Sequence, residues 1–185
     1  MKKLLLIMGD LACGKSTFAS ILAKRYNVNN FGKDSIKEVL GDTIGFVNRE
    51  ENLKLSGATM QLMFFLFSEF TKLGKPLILE SNFHTNELET LQDIAKKQGY
   101  EVFTLVLRGN VELLHKRYLH RAQNEKRHPV HLSTTLDVYE DFKAYWERSR
   151  KEEIPGEILE INANDFSYQT NETILAKIDN FMNLE

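Results

Sequence analysis

Short apolar runs alternate along the chain with longer segments whose apolar positions recur at helical spacing, the pattern of a parallel sheet with helices packed on its faces. Five runs predict strands, at 3–8, 28–31, 76–80, 102–107 and 157–161. The first, third and fourth are nearly continuous in apolar residues, as strands covered on both faces should be. Helices are predicted over 15–26, 35–40, 50–73, 87–97, 111–122, 135–151 and 171–182. Thr85 and Asn86 ahead of Glu87 and Glu89, and Asn110 ahead of Glu112, are polar starts followed by acids that suit a helix N-terminus. Gly74 and Gly99 stand where a left-handed residue commonly ends a helix. The phenylalanine-rich stretch 64–70 reads as a core-facing helix surface, and the polar stretch 123–133 has the length of a mobile loop or lid. His128 and His131 within it read as solvent-exposed, because no third ligand accompanies them toward a metal.

Composition narrows the class. The chain has 185 residues, of which 42% are hydrophobic, 27% charged and 10% aromatic, with 3 Pro, so it suits one compact domain without linker or repeat. Lys+Arg 24 against Asp+Glu 26 leaves a net charge of −2, so no global positive field exists to hold a long polyanion. The single cysteine, Cys13, excludes an intramolecular disulfide and fits a reducing cytoplasm. Gly9-Asp10 closes the apolar start far short of a membrane span, and the run 63–67 is too short to cross a bilayer. The sequence carries no signal of oligomeric state.

Gly9-Asp10-Leu11-Ala12-Cys13-Gly14-Lys15-Ser16 fits GxxxxGK[ST] between a predicted strand and a predicted helix, the context that motif requires. Glycines let the backbone wrap close to oxygen atoms, successive N–H groups point inward, and the helix N-terminus adds partial positive charge. Lys15 is placed to reach the β- and γ-phosphates of a nucleotide, Ser16 to put its hydroxyl on Mg²⁺, and Thr17 to meet the α-phosphate. Cys13 reads as a small loop filler, beside a second reading in which loop N–H groups and Lys15 favour its thiolate.

Three further positions carry chemistry. Glu80 closes the apolar run Leu77-Ile78-Leu79 at the carboxyl edge of a parallel sheet, where it can hold Mg²⁺ through water, with Ser81 and Asn82 directly after it. Asp34 falls at a helix start, either as an ordinary cap or as the carboxylate that orients an acceptor hydroxyl and takes its proton late in a loose transition state. Arg108, Lys116, Arg117, Arg121, Lys126 and Arg127 against Glu112 and Glu125 form the one local basic cluster. Arg117, Arg121 and Asn124 share a helix face suited to closing on phosphates.

Together these residues resemble the small P-loop kinases, the group that includes the bacteriophage polynucleotide 5′-kinase domain, zeta-toxin-like and chloramphenicol phosphotransferase-like kinases, and gluconate and shikimate kinases. Phe31-Gly32-Lys33-Asp34-Ser35-Ile36-Lys37 is similar to the polynucleotide-kinase pattern, in which an Asp base is followed three residues on by an Arg. Lys37 keeps that charge but lacks the planar fork. Leu79-Glu80-Ser81-Asn82 resembles the family's strand-end acid and polar pair, with Glu for the usual Asp. The resemblance implies a single α/β domain over 1–185 with the three-layer P-loop NTPase fold, a five-stranded parallel sheet of order 2-3-1-4-5, helices on both faces and a small lid over about 115–133. It implies ATP and Mg²⁺ as cofactors, with the nucleotide on residues 9–17, Arg117 and Arg121, and the metal on Ser16 and Glu80. Asp34, Lys37 and Asn82 fall on the acceptor side, and Lys15, Asp34, Arg117 and Arg121 take the catalytic roles. Residues 159–163 resemble the last strand and the adenine-side loop.

The expected activity is ATP-dependent transfer of the γ-phosphoryl group to a hydroxyl acceptor, with a small molecule favoured over a polynucleotide 5′-end by the acidic net charge. A nucleotide acceptor would need arginines near Asp34, where only Lys33, Lys37 and Arg49 are on offer. A GTPase-type switch would carry an Asn-Lys-x-Asp guanine reader, and Asn162-Ala163-Asn164-Asp165 lacks the lysine. A non-catalytic nucleotide-binding module is the remaining alternative.

Overall fold

The computed structural model describes residues 2–131 and 136–182. Five strands, β1 (Lys3–Gly9), β2 (Asn29–Gly32), β3 (Leu77–Glu80), β4 (Glu101–Arg108) and β5 (Glu157–Asn162), form one sheet in the order β2-β3-β1-β4-β5. Every pairing is parallel, with Ile7 opposite both Glu80 and Leu105, so all carboxyl ends lie along one edge. The helices are α1 (Lys15–Tyr26), α2 (Lys33–Ile44), α3 (Arg49–Leu73), α4 (Thr85–Gln98), α5 (Val111–Asn124), α6 (Tyr139–Ser149) and α7 (Glu172–Met182).

β1 is buried along its whole length, and the two-residue period of its side chains divides the core. Leu5 and Ile7 face Phe18 and Leu22 of α1, Leu114 of α5, Phe142 of α6 and Ile178 of α7. Leu4, Leu6 and Met8 face Met63 and Phe67 of α3 and Leu88 and Leu91 of α4. Within 64–70, Phe67 is fully buried and Phe64 and Phe70 pack against that second layer, whereas Phe65 is 58% exposed.

The predicted strands and helices recur with shifted ends. Asn110 caps α5 by accepting from the N–H groups of Glu112 and Leu113, and Gly74 and Gly99 are left-handed beyond α3 and α4. Thr85 and Asn86 are not the cap of α4. His84 occupies that position, where its N–H donates to the Glu87 carboxylate at 2.9 Å, because the Thr85 hydroxyl and N–H are both drawn to Glu152 at 2.7 Å. The helix predicted at 35–40 runs instead from Lys33 to Ile44, passing through Gly41. The helix predicted from 135 begins at Tyr139; position 135 and the lid positions 132–133 lie outside the described residues.

The described part of the stretch 123–133 rests on α2 and α3. Val130 belongs to a short 3₁₀ turn, Pro129–His131, and its carbonyl accepts from Lys37 Nζ at 3.4 Å and Asn52 Nδ2 at 3.0 Å. His128 pairs with Asp42 at 2.9 Å and His131 with Glu38 at 2.8 Å, so neither histidine is the free surface residue expected of a polar loop. Gly41 allows this approach, since a Cβ there would lie 2.3 Å from Val130 Cγ1.

Gly41→Ala tests that packing. Helix propensity favours Ala over Gly by about 1 kcal/mol, while overpacking costs about 1–3 kcal/mol, and stiff, buried Val130 has no far end to swing aside. The variant should melt lower than the wild type and show faster amide exchange at 128–131, measured by thermal unfolding and hydrogen exchange.

Candidate active site

The site grows from the end of β1. Gly9 adopts φ 137°, and a Cβ there would lie 2.0 Å from the Leu107 carbonyl oxygen of β4, so only glycine permits the turn. Ala12 and Gly14 follow with φ 58° and 89°, the left-handed geometry that turns successive N–H groups toward a common centre. The cradle leads into the N-terminus of α1, which favours negative charge. Gly14 meets a second demand, because a Cβ would lie 2.6 Å from Tyr168 Oη and 2.9 Å from Phe166, on the loop after β5. Tyr168 donates to the Cys13 carbonyl at 2.8 Å, and Leu11 and Ala12 pack against the adjoining core.

Lys15 Nζ donates to the carbonyls of Asp10 at 2.7 Å and Gly9 at 3.2 Å. Burial opposes its charge, but Cys13, Glu80, Tyr145 and Asp34 around it outweigh that and raise its pKa. Burial pushes the Cys13 thiol up, against the pull of Lys15, and leaves it protonated at neutral pH. The thiolate reading of Cys13 therefore gives way to that of a buried filler.

Ser16, on the exposed first turn of α1, donates from Oγ to Glu80 Oε2 at 3.0 Å. Glu80 is 6% exposed; burial first, and Asp34 after it, raise its pKa against the opposing influence of Lys15 and Ser16. Gly32 of β2 makes room for this carboxylate, since a Cβ there would lie 3.1 Å from Glu80 Oε2. A hydroxyl and one carboxylate on a phosphate cradle suit Mg²⁺, which keeps several waters and shares substrate phosphates rather than filling an all-protein cage. Among the described residues no group of three or more His, Cys, Asp or Glu side chains forms such a cage.

Asp34 is on the first turn of α2, but Gly32 occupies the cap position. The Asp34 side chain is exposed and makes no hydrogen bond or ion pair among the described residues, while its charge acts on Lys15, Lys37 and Glu80. Lys37 turns away from this space into the α2–α3 contact. Its Nζ donates to Asn52 Oδ1 at 2.6 Å, and burial lowers its pKa despite the field of Asp34. Lys33 pairs with Glu87 at 3.3 Å. Asn82 donates to Tyr145 Oη at 3.4 Å, and its buried Oδ1 has no partner among the described residues. Beside Ser16 and Glu80 a cavity of about 310 Å³ opens between α1, β2 and α2, lined by Ser20, Asn30, Phe31, Ser35, Ile36 and Val39. The buried Asn30 Oδ1 is likewise unpartnered among the described residues.

The expected arginine face divides into separate contacts. Arg117 donates to the Ala163 carbonyl at 2.8 Å and to that of Asn164, and its guanidinium lies 4.4 Å over the Phe166 ring. Arg121 pairs with Glu125 at 3.2 Å on the exposed surface. Arg108 faces Asp10 at 3.4 Å. The Asp10 carboxylate points away from the cradle, whose lysine sees only its backbone carbonyl. Tyr145, Arg150, Phe166 and Tyr168 are site neighbours that sequence reasoning missed. Each approaches the loop from more than 120 positions away, and no motif marks them.

No family model matches the chain. No curated protein matches it. Solved structures do, over nearly its full length. A presumed kinase from Chloroflexus aurantiacus superimposes with TM-score 0.81 at 22% identity, covering 99% of this chain and 98% of that one. A gluconokinase from Sinorhizobium meliloti gives TM-score 0.62 at 10% identity, over 98% and 94%. A shikimate kinase from Bacteroides thetaiotaomicron gives 0.58 at 14%, over 98% of each. The fold is that of the small P-loop kinases. The P-loop cradle therefore stands where that topology places it, at the carboxyl edge of the central strand.

The burial of Glu80 gives a stability signature. A carboxyl whose folded pKa is raised contributes stability that is present below its unfolded pKa and lost as pH rises through its folded pKa. Glu80→Gln should therefore raise the melting temperature of the metal-free protein at about pH 8, and that gain should shrink toward about pH 3, where the wild-type carboxyl is protonated in both states.

Proposed function

We propose that the chain is an ATP-dependent phosphotransferase that moves a γ-phosphoryl group to a hydroxyl of a small acceptor. The observation that carries this reading is the convergence of three groups at one sheet edge. Lys15 is held charged in the cradle, Ser16 and Glu80 are joined 3.0 Å apart, and Asp34 is left without a partner among the described residues. Mg²⁺ bound at Ser16 and Glu80 would neutralise charge on the β- and γ-phosphates. Lys15 would leave its two carbonyls for the same phosphates, and the loop N–H groups would hold them in place. Asp34 would accept the hydroxyl proton as the acceptor oxygen bonds to γ-phosphorus and the bond to the ADP oxygen breaks.

The cavity beside Ser16 supports a small, uncharged, hydroxyl-bearing acceptor. Its lining has serine hydroxyls, an unpartnered amide oxygen, apolar side chains and the Glu80 carboxylate, and no lysine or arginine. Lys33 and Lys37, the cations flanking Asp34 on α2, are committed to Glu87 and Asn52, which weighs against a phosphate-bearing acceptor. The fold neighbours named for gluconate and shikimate also support a small hydroxylated acceptor over a polynucleotide end. A protein without a spanning helix among its described residues, with a buried free thiol, suits the cytoplasm.

The test is ATP consumption with Mg²⁺ against a panel of alcohols, sugars, nucleosides, antibiotics and 5′-hydroxyl oligonucleotides. Stimulation by one small-molecule class is expected. Lys15→Ala should lower turnover by about 100-fold or more while leaving the fold intact. Asp34→Asn should keep ATP affinity near that of the wild type and slow transfer by about 100-fold. An Asp34→Asn variant with unchanged turnover would remove the base assignment, and tight ATP binding with no turnover on any acceptor would favour a binding module.

A further inference from the structure

We infer that Arg150 is a positioning residue for the phosphate cradle, acting through Asp10; the inference rests on the reading of residues 9–16 as a nucleotide-phosphate site. Asp10 is the second residue of the cradle, and its side chain is fully buried. Four donors surround the carboxylate: Arg150 Nη2 at 2.6 Å, Gly109 N–H at 2.8 Å, Arg150 Nε at 3.3 Å and Arg108 Nη1 at 3.4 Å. The guanidinium of Arg150 is itself held. It lies 3.7 Å over the Trp146 ring, one helical turn earlier, and donates to the Gly109 carbonyl at 2.9 Å, which also accepts from Trp146 Nε1 at 3.3 Å.

A buried ion pair is weak evidence for stability, because desolvating both charges offsets most of their attraction. What the cluster supplies here is direction. The Asp10 side chain is tied outward to Arg150, so its backbone carbonyl is aimed inward, at 2.7 Å from Lys15 Nζ. The Asp10 N–H is held in turn by the Leu107 carbonyl at 2.9 Å, so three ties leave the first turn of the cradle one conformation. Arg150 makes no hydrogen bond to Lys15, and its ion pair with the cradle is made to Asp10. Five residues before it, Tyr145 reaches Asn82 at the end of β3, so the α6 segment braces both sides of the site.

The test uses the full chain, with calorimetric titration of a non-hydrolysable ATP analogue plus Mg²⁺, thermal unfolding, and steady-state kinetics in ATP and in acceptor. Arg150→Met leaves the buried carboxylate with the Gly109 N–H and the more distant Arg108 alone, and should both lower the melting temperature and weaken analogue binding by about ten-fold or more. The double variant Asp10→Asn/Arg150→Met removes that poorly compensated charge. Its melting temperature should recover toward wild type while analogue affinity stays weak and KM for ATP stays raised, with KM for the acceptor unmoved. Arg150→Lys keeps the charge without the fork and should retain the fold with intermediate affinity. Analogue affinity within about two-fold of wild type in the double variant, or in Arg150→Lys if the others fail to fold, would overturn the inference. Failure of the wild-type protein to bind the analogue would instead overturn the nucleotide reading on which it rests.

Discussion

The pairing of β1 between β3 and β4, with every one of its side chains buried, is the constraint on which the rest of the molecule depends. A parallel strand flanked on both edges and covered on both faces cannot slip by one residue without turning its whole apolar set over. Its carboxyl end is therefore fixed relative to the ends of its neighbours. Gly9 leaves the strand directly against Leu107, and Ile7 stands opposite Glu80. The cradle, the Glu80 carboxylate and the start of α2 reach one edge because β1 leaves them no alternative.

At that edge the charges are arranged for exchange rather than for stability. Lys15 is half-buried and charged but rests on two backbone carbonyls, which are weaker partners than a carboxylate. Glu80 is buried with only a serine hydroxyl bonded to it, and Asp34 bonds to nothing among the described residues. Charged groups held with so few partners are the kind of cluster that marks candidate functional sites. The ion pairs with full coordination, Asp10 with Arg150 and Arg108, lie behind the cradle and stiffen it.

The polar stretch after α5 shows how tertiary context redirects residues that look functional in isolation. Lys37, His128 and His131 have the chemistry of ligand-binding groups, yet they join that stretch to α2 and α3. Arg117 and Arg121 share a helix face in sequence but serve the loop after β5 and the exposed surface respectively. Side-chain identity and spacing define what such residues are able to bond; the partner that arrives first in space decides which bond is made.

Local signals explain what was legible. Period-two and near-continuous apolar runs located all five strands, and the glycine-lysine-serine spacing located the cradle, because both depend on residues within a few positions of each other. Helix ends were less legible where a distant group intervened. Glu152 took Thr85 from the cap of α4, and α2 runs on through Gly41, which meets Val130. The strand order 2-3-1-4-5 came from family resemblance and not from periodicity, since nothing in a strand's own pattern names its neighbour. By itself the sequence determined the class of fold, the position of the glycine-turned loop after β1 and the carboxylates at the sheet edge. Only the tertiary structure decided that Asp10 faces Arg150, that Lys37 is buried against Asn52, and that Asp34 is left unpartnered among the described residues. The physical reason is that burial and hydrogen-bond partnership are set by side chains many positions away, which meet only when the sheet closes its layers around them.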